Sequence, residues 1–210
     1  MPSYQIRLLE TIEEMHLIED LTDEIWHGGA EDVVPAHILI AMIHNGGIAL
    51  GAFEDEKMVG YTFGFPGLIE TPQGLNAKHC SHQMGVLSTH RGQDIGFALK
   101  KAQWQMVRKQ GLDRITWTFD PLLSRNAYLN IARLGAVCNT YKREEYGKMV
   151  DDLNAGIASD RFQVDWWINT RRVSQHLVDI ENRTPLGLEN YEKSEVQVLY
   201  KPERDMDLGL

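Results

Sequence analysis

Cysteine is nearly absent: 210 residues carry two, Cys80 and Cys138. That excludes a disulfide framework and makes a reducing, cytoplasmic setting the expectation. Basic charge is in deficit. Against 30 Asp and Glu stand 21 Lys and Arg, for a net charge of -9. A non-specific nucleic-acid binder needs the opposite surplus to neutralise phosphates, so no nucleic-acid partner is expected. Long hydrophobic runs are missing too. Nothing approaches the ~20 apolar residues that a membrane helix requires. The start, MPSYQIRLLET, has no cationic segment followed by an apolar core, so neither a signal peptide nor a membrane partner is expected. Two phosphate motifs also fail. The chain contains neither Gly-x-x-x-x-Gly-Lys-Ser/Thr nor Gly-x-Gly-x-x-Gly, which excludes a P-loop and a dinucleotide fingerprint. Metal ligands do not assemble either. In KHCSHQMG, strand alternation turns His79 away from Cys80 and His82, and no second ligand pair stands at zinc spacing.

What is present suits a folded enzyme-sized chain. With 43% apolar residues, it can bury a core without covalent staples. YQIRLL (4–9) reads as a strand. Thr11 with Glu14 is a capping box opening a helix, whose apolar residues Ile12, Met15, Ile18, Leu21 and Ile25 recur at helical spacing. Gly28-Gly29 should end that helix. A second helix should follow Asp32, with Pro35 in its first turn, and stop at Asn45-Gly46-Gly47. Strands at 48–54 and 58–65 flank the polar turn Asp55-Glu56-Lys57 as a hairpin. Residues 66–77 read as loop, and 78–87 as strand. A helix carrying Ile95, Leu99, Ala102 and Met106 on one face should end near Gly111. RITWTF (114–119) alternates as a strand. DPLLSRNAYLNIARLGA is a turn and then a helix, 139–161 have no clear assignment, and FQVDWWI (162–168) is a strand. Residues 171–181 read as helix, 195–200 as a late strand, and the tail as frayed. Hairpin strands beside helix crossovers predict an α/β chain with a mixed sheet and helices on both faces.

The segment VLSTHRGQDIGFALKKAQ (86–103) carries the clearest chemistry. A strand, a glycine-bearing turn and a helix start form an anion site. The first amides of a helix lack internal partners, point outward together, and carry partial positive charge. Gly92 and Gly96 let a ligand approach the backbone, Arg91 adds a charge-assisted contact, and Lys100 and Lys101 raise the local potential.

GVLSTHRGQDIGFALKKA resembles the coenzyme-A-binding segment of the GNAT superfamily of N-acyltransferases. In that pattern a strand end is followed by Arg/Gln-x-x-Gly-x-Gly/Ala at a helix start. Here Val86 and Leu87 end the strand, Arg91 is the first motif position and Gly96 the last. ITWTF, Asn126 and RLGA (133–136) continue the likeness, which covers roughly residues 4–142. It implies one domain over 1–210, with a core at about 4–142 and an extension at about 143–210 that adds strands. The implied sheet is largely antiparallel with splayed central strands. The resemblance also implies an acyltransferase that transfers groups other than aminoacyl groups, acting by direct attack of an amine on acetyl-CoA or another short acyl-CoA such as succinyl-CoA. The backbone of Val86 and Leu87 would hold the pantetheine and thioester. The amides of Arg91, Gly92, Gln93, Asp94, Ile95, Gly96 and Phe97 would hold the pyrophosphate, and Asn126 the pantetheine amides. Two positions depart from the pattern. Asp94 replaces the inner glycine and puts a carboxylate beside phosphate. Ile131 stands where the family often has the Tyr that protonates the leaving thiolate; Tyr128, one turn earlier, is the substitute candidate.

The general base is less defined. His82 is the first candidate, because a near-neutral imidazole suits the task and because it shares a strand face with Met84 and Val86; His79, Glu70 and Asp120 are others. Arg161, Arg171 and Arg172 with Trp166 and Trp167 suggest an acceptor site that holds a carboxylate. The expected partner is a small-molecule amine, perhaps an amino acid. A non-catalytic acyl-CoA binder, a protein-modifying acetyltransferase and a homodimer stay open. No metal is expected.

Overall fold

A computed structural model of the chain describes residues 4–26, 33–147 and 159–178. Among these residues lie seven strands and five helices. They are β1 (Gln5–Leu8), α1 (Ile12–Trp26), α2 (Ala36–His44), β2 (Ile48–Glu54), β3 (Lys57–Thr71), β4 (Gly74–Val86), α3 (Ile95–Lys109), β5 (Arg114–Phe119), α4 (Ser124–Ala127), β6 (Val137–Lys142), β7 (Arg161–Trp167) and α5 (Arg171–Val178). One sheet takes the order β1-β2-β3-β4-β5-β7-β6. Every neighbouring pair is antiparallel except β4 with β5.

The local chemistry explains the start. Thr11 Oγ1 accepts the Glu14 amide at 3.3 Å and Glu14 Oε2 accepts the Thr11 amide at 3.1 Å, which closes the capping box. Met15, Ile18 and Leu21 turn inward. Pro35 sits at the N-cap of α2, where its lack of an N–H costs nothing, and Glu19 Oε1 of α1 accepts the Ala36 amide at 2.6 Å. The helix expected after Asp32 starts at Ala36, so Pro35 precedes its first turn. The expected stop at Gly28-Gly29, the strand at 195–200 and the end of the 171–181 helix lie outside the described residues.

The helices α1 and α3 cover opposite faces. A side chain at Gly85 would strike Ile25 and Trp26 of α1, and one at Gly60 would meet Ile95 of α3. Gly60 pairs with Val86, the residue after Gly85, so the two glycines face opposite ways. On the α3 face the core is aromatic. Trp117 and Trp166 meet edge to face with centroids 5.7 Å apart, and both are buried.

Two sequence expectations change. Residues 66–77 are not loop: β3 and β4 continue as a hairpin arm to a turn at Thr71–Gly74, where Thr71 Oγ1 donates to the Gly74 carbonyl at 2.8 Å. The turn-rich composition misled, because β2 stops pairing at Gly64. Beyond it β3 has a free edge, and Pro66 loses no ladder bond there. The helix expected in 120–136 is four residues of α4 followed by a π-helical stretch, Tyr128–Arg133, with the Leu134 amide reaching back to the Leu129 carbonyl at 2.9 Å. The strand expected at 162–168 is present as Arg161–Trp167. It lies between β5 and β6, pairing with both.

Candidate active site

The parallel pair β4–β5 is short. Its register is His79 with Ile115 and Cys80 with Thr116, and there it ends. Beyond Cys80 the two central strands part, while β4 stays paired to β3 as far as Val86. The ladder geometry says which backbone groups then lack a strand partner. Leu87 donates its amide to the Val59 carbonyl at 3.0 Å, so Leu87, Gly85 and Gln83 bond toward β3. Met84 and Val86, between them, turn N–H and C=O toward the opening. Val86 is one of the two residues so turned. The expectation for Leu87 is not met, since its amide is taken; Met84 is the residue that takes its place.

The mouth of the opening is the start of α3. A short 3₁₀ turn, Ser88–His90, leads into exposed Arg91, Gly92 and Gln93. Gly92 has φ +82, a left-handed conformation that favours glycine, and a Cβ there would meet open space. Asp94 is the N-cap of α3 and makes no side-chain cap bond; the first internal bond is from the Ala98 amide to the Asp94 carbonyl at 2.9 Å. The amides of Ile95, Gly96 and Phe97 therefore have no helical partner. The side chains of Ile95 and Phe97 are buried in the core, so these residues offer only backbone. A Cβ on Gly96 would lie 3.5 Å from Met84 Cε and 3.9 Å from Leu129 Cδ2, which brings β4, α3 and the π-helical stretch together at this point.

Asp94 does not face the mouth freely. At φ +63 it is left-handed, and its carboxylate is paired with Arg133, whose guanidinium lies 4.4 Å from the Phe97 ring centroid. The pair ties the helix start to the π-helical stretch and takes the carboxylate's charge up locally.

Further along α3 the chain does something that its sequence only hints at. Lys100 is 2% exposed. Its Nζ donates to Ser81 Oγ at 2.6 Å and to Gln103 Oε1 at 3.3 Å, and it lies 4.1 Å from the Trp117 ring centroid. No carboxylate pairs with it among the described residues, and burial pulls its pKa down to about 7. Gln103 Nε2 lies 3.3 Å from His79 Nε2. Because Gln103 accepts from Lys100 through its oxygen, its nitrogen donates to His79, which puts the imidazole proton on Nδ1. That Nδ1 is buried without a partner. Burial, then the charge on Lys100, lower the His79 pKa to about 3, so it is neutral. Lys100 was expected to add potential at the turn. Instead it points into the core, because Gly96, Lys100, Gln103 and Val107 fall on one stripe of α3. A polar pair three residues apart on that stripe is the signal in the sequence.

The remaining candidates scatter. His82 is the extra residue of a β-bulge: Phe63 pairs with Gln83 and Gly64 with Ser81. The bulge breaks the period of two, so His82 does not share a face with Met84 and Val86. It leans on Phe63 and Phe65, at centroid distances of 5.4 and 5.9 Å, and desolvation lowers its pKa. Cys80 has Lys78, Lys100 and Lys142 around it, yet burial prevails and raises its pKa. Tyr128 is 64% exposed on the π-helical stretch. Asn126 is half-buried in α4. The arginine and tryptophan group does not assemble. Arg161 begins β7, and Arg171 and Arg172 follow its far end; a seven-residue strand places them ~20 Å apart. Trp166 is fully buried, its Nε1 donating to the Leu134 carbonyl at 2.8 Å, so no face is open to a substrate. Arg172 Nε donates to the Gly135 carbonyl at 2.9 Å, and Arg171 is exposed. Arg161 is buried beside the Tyr146 ring, at the end of the sheet where β4 and β5 part.

No His, Cys, Asp and Glu group that could hold a metal occurs among the described residues. No helix among them is long and apolar enough to cross a membrane.

No family model matches the chain, and no curated protein does. Solved structures do. The ribosomal-protein-S18-alanine N-acetyltransferase from Escherichia coli superposes with a TM-score of 0.61 at 13% identity, over 80% of this chain and 95% of that one. An acetyltransferase of the GNAT family from Streptococcus pneumoniae gives 0.56 at 14%, over 77% and 98%. The NatC complex bound to Gag peptide and CoA gives 0.58 at 13%, over 77% and 96%. At such identities the likeness is one of fold. With its strand order and its parted central strands, the protein has the GNAT fold.

Proposed function

We propose that the protein is an acyl-CoA-dependent N-acyltransferase that acylates the amine of a small molecule. One observation carries the reading. The backbone of Met84 and Val86 faces an opening in the sheet, and that opening leads straight to the uncapped amides of Ile95, Gly96 and Phe97. An elongated ligand with an amide-bearing arm and a phosphate head fits that pairing. The arm bonds β4 like an added strand, and the phosphates lie on the helix start with Arg91. The acyl group then rests where β4 and β5 part, and the acceptor nitrogen attacks its carbonyl carbon from the α1 side. Positioning supplies much of the rate. The N–H of Met84, turned to the opening, can donate to the carbonyl oxygen.

The acceptor enters as its free amine, or loses its proton to a base on the α1 face. His82 of β4 and Asp120, just past β5, are titratable groups toward that end. We read Arg161, at the same end of the sheet, as the arginine that meets an acceptor carboxylate. The choice between acetyl-CoA and a longer acyl-CoA is open to the same assay.

The test is direct. Thermal unfolding with CoA and with acetyl-CoA should shift upward, with ligand at ~100 times its dissociation constant adding about 2.7 kcal/mol. Thiol release from acetyl-CoA and succinyl-CoA across a panel of amines, amino acids and N-terminal peptides then identifies acceptor and acyl class. A melting temperature that ignores millimolar CoA and acetyl-CoA rejects the reading. Turnover with peptides alone reassigns it to protein modification.

A further inference from the structure

The reading above leaves the departing thiolate without its usual proton donor. Ile131 stands where the GNAT pattern has Tyr, and Tyr128 is 64% exposed. The opening itself holds another proton source. Ser81 is the first residue of β4 past the last β4–β5 pair, on the face covered by α3, and it is 3% exposed. Lys100, one helical turn beyond Gly96, reaches it from α3.

The hydrogen-bond directions are fixed by chemistry. An ammonium only donates, so Ser81 Oγ accepts from Lys100. The hydroxyl hydrogen of Ser81 must then point elsewhere, and among the described residues Lys100 is the one side chain that bonds Oγ. Everything else facing Lys100 is neutral or cannot take its charge. From β4 these groups are His79, whose proton sits on Nδ1, and the Cys80 thiol; from β5, the Trp117 ring; from α3, Gln103. A buried ammonium that has only neutral partners favours the appearance of a negative charge beside it. The phosphate head belongs at the helix start and the arm runs past Val86 and Met84. The reactive end of the arm therefore lies at the closed end of the opening, where Ser81 is.

We propose that Ser81 Oγ–H gives its proton to the thiolate sulfur as it leaves, and that Lys100 Nζ–H replaces that proton. This rests on the acyltransferase reading. The balance is complete. The acceptor nitrogen bonds the carbonyl carbon and gives up one proton to solvent, the carbon–sulfur bond breaks, and sulfur keeps the pair and takes the Ser81 hydrogen. Lys100 ends as a neutral amine and regains a proton from solvent after the thiol leaves. Ser81 is the group in contact with the reacting atoms. Lys100 acts through it, and its amine pKa of about 7 suits both halves of the cycle.

Three variants and two readouts test this. With saturating acceptor, wild-type kcat should fall as pH rises through about 7, as Lys100 loses its proton. Ser81→Ala and Lys100→Met should lower kcat about 10²-fold at pH 6.5, and Lys100→Met should lose the alkaline fall. Lys100→Arg keeps the charge but cannot give up its proton near neutrality, so it should be as slow as Lys100→Met. The second readout needs no turnover. NMR of lysine side chains in the unliganded protein should show one amine titrating near neutrality, missing in Lys100→Met and displaced in Ser81→Ala. Wild-type kcat in Ser81→Ala, or a Lys100→Arg variant as fast as wild type, overturns the relay while leaving the acyltransferase reading in place. A wild type that neither binds nor turns over acetyl-CoA overturns both.

Discussion

Replacing Lys100 with Met should change how stability depends on pH, in a way that follows from burial alone. The ammonium is 2% exposed and has no carboxylate partner among the described residues. Its pKa falls from 10.5 to about 7 in the folded chain. Between those values the unfolded chain holds one proton more than the native one, so wild-type stability rises with pH. Each pKa unit corresponds to about 1.36 kcal/mol. From pH 7 to pH 10, wild type should therefore gain roughly 3–5 kcal/mol relative to Lys100→Met. Below pH 7 the difference should be flat, since both states are protonated. Met is unbranched and of similar reach, so it fills the space with little strain. It leaves Ser81 and Gln103 without their bond, an offset of about 1–2 kcal/mol that does not vary with pH. Urea unfolding of both proteins at unit pH steps from 6 to 10 measures the difference directly. Parallel curves would refute the reasoning: Lys100 would then have access to water or to an anion.

Three further outcomes are expected. A Cβ on Gly64 would lie 2.3 Å from the Cys80 carbonyl oxygen and 2.4 Å from His79 Nε2; Gly64→Ala should cost about 1–3 kcal/mol, read as a lower melting temperature, and an unchanged one would mean that the bulge shifts freely. His79 is held neutral, with its pKa near 3 against 6.5 unfolded, so the unfolded chain binds the extra proton as pH falls through 6.5; His79→Gln should lose less stability than wild type between pH 6.5 and 4, and equal slopes would count against a buried neutral His79. Asp94→Gly suits the left-handed φ of +63 and releases Arg133 from its ion pair. Acetyl-CoA should bind this variant more tightly, with a larger gain at low salt, whereas weaker binding would show that the Asp94–Arg133 pair organises the turn.

Much of the architecture was legible in the chain itself, because periodicity and turn chemistry are local. The capping box of Thr11 and Glu14, the alternation of RITWTF, and the glycine turn before α3 each act within a few residues, and each appears where the pattern puts it. The unpartnered amides at the start of α3 are local in the same sense, since a helix leaves its first amides without internal partners wherever it is placed.

What tertiary structure alone decided is every feature that depends on which strand lies beside which. Nothing in FQVDWWI says that it will slide between β5 and β6; that insertion buries Trp166 against Trp117 and removes it from any substrate site. The bulge at His82 is a mismatch between two strands and belongs to neither sequence, yet it sets which side chains share a face. Lys100 reads as a surface charge near a phosphate turn. It becomes a buried ammonium only because β4 and β5 close beneath α3 and supply Ser81 and Trp117 as its neighbours. Local preference sets the elements, whereas burial and pairing, which join residues far apart in the chain, set the chemistry of the place where they meet.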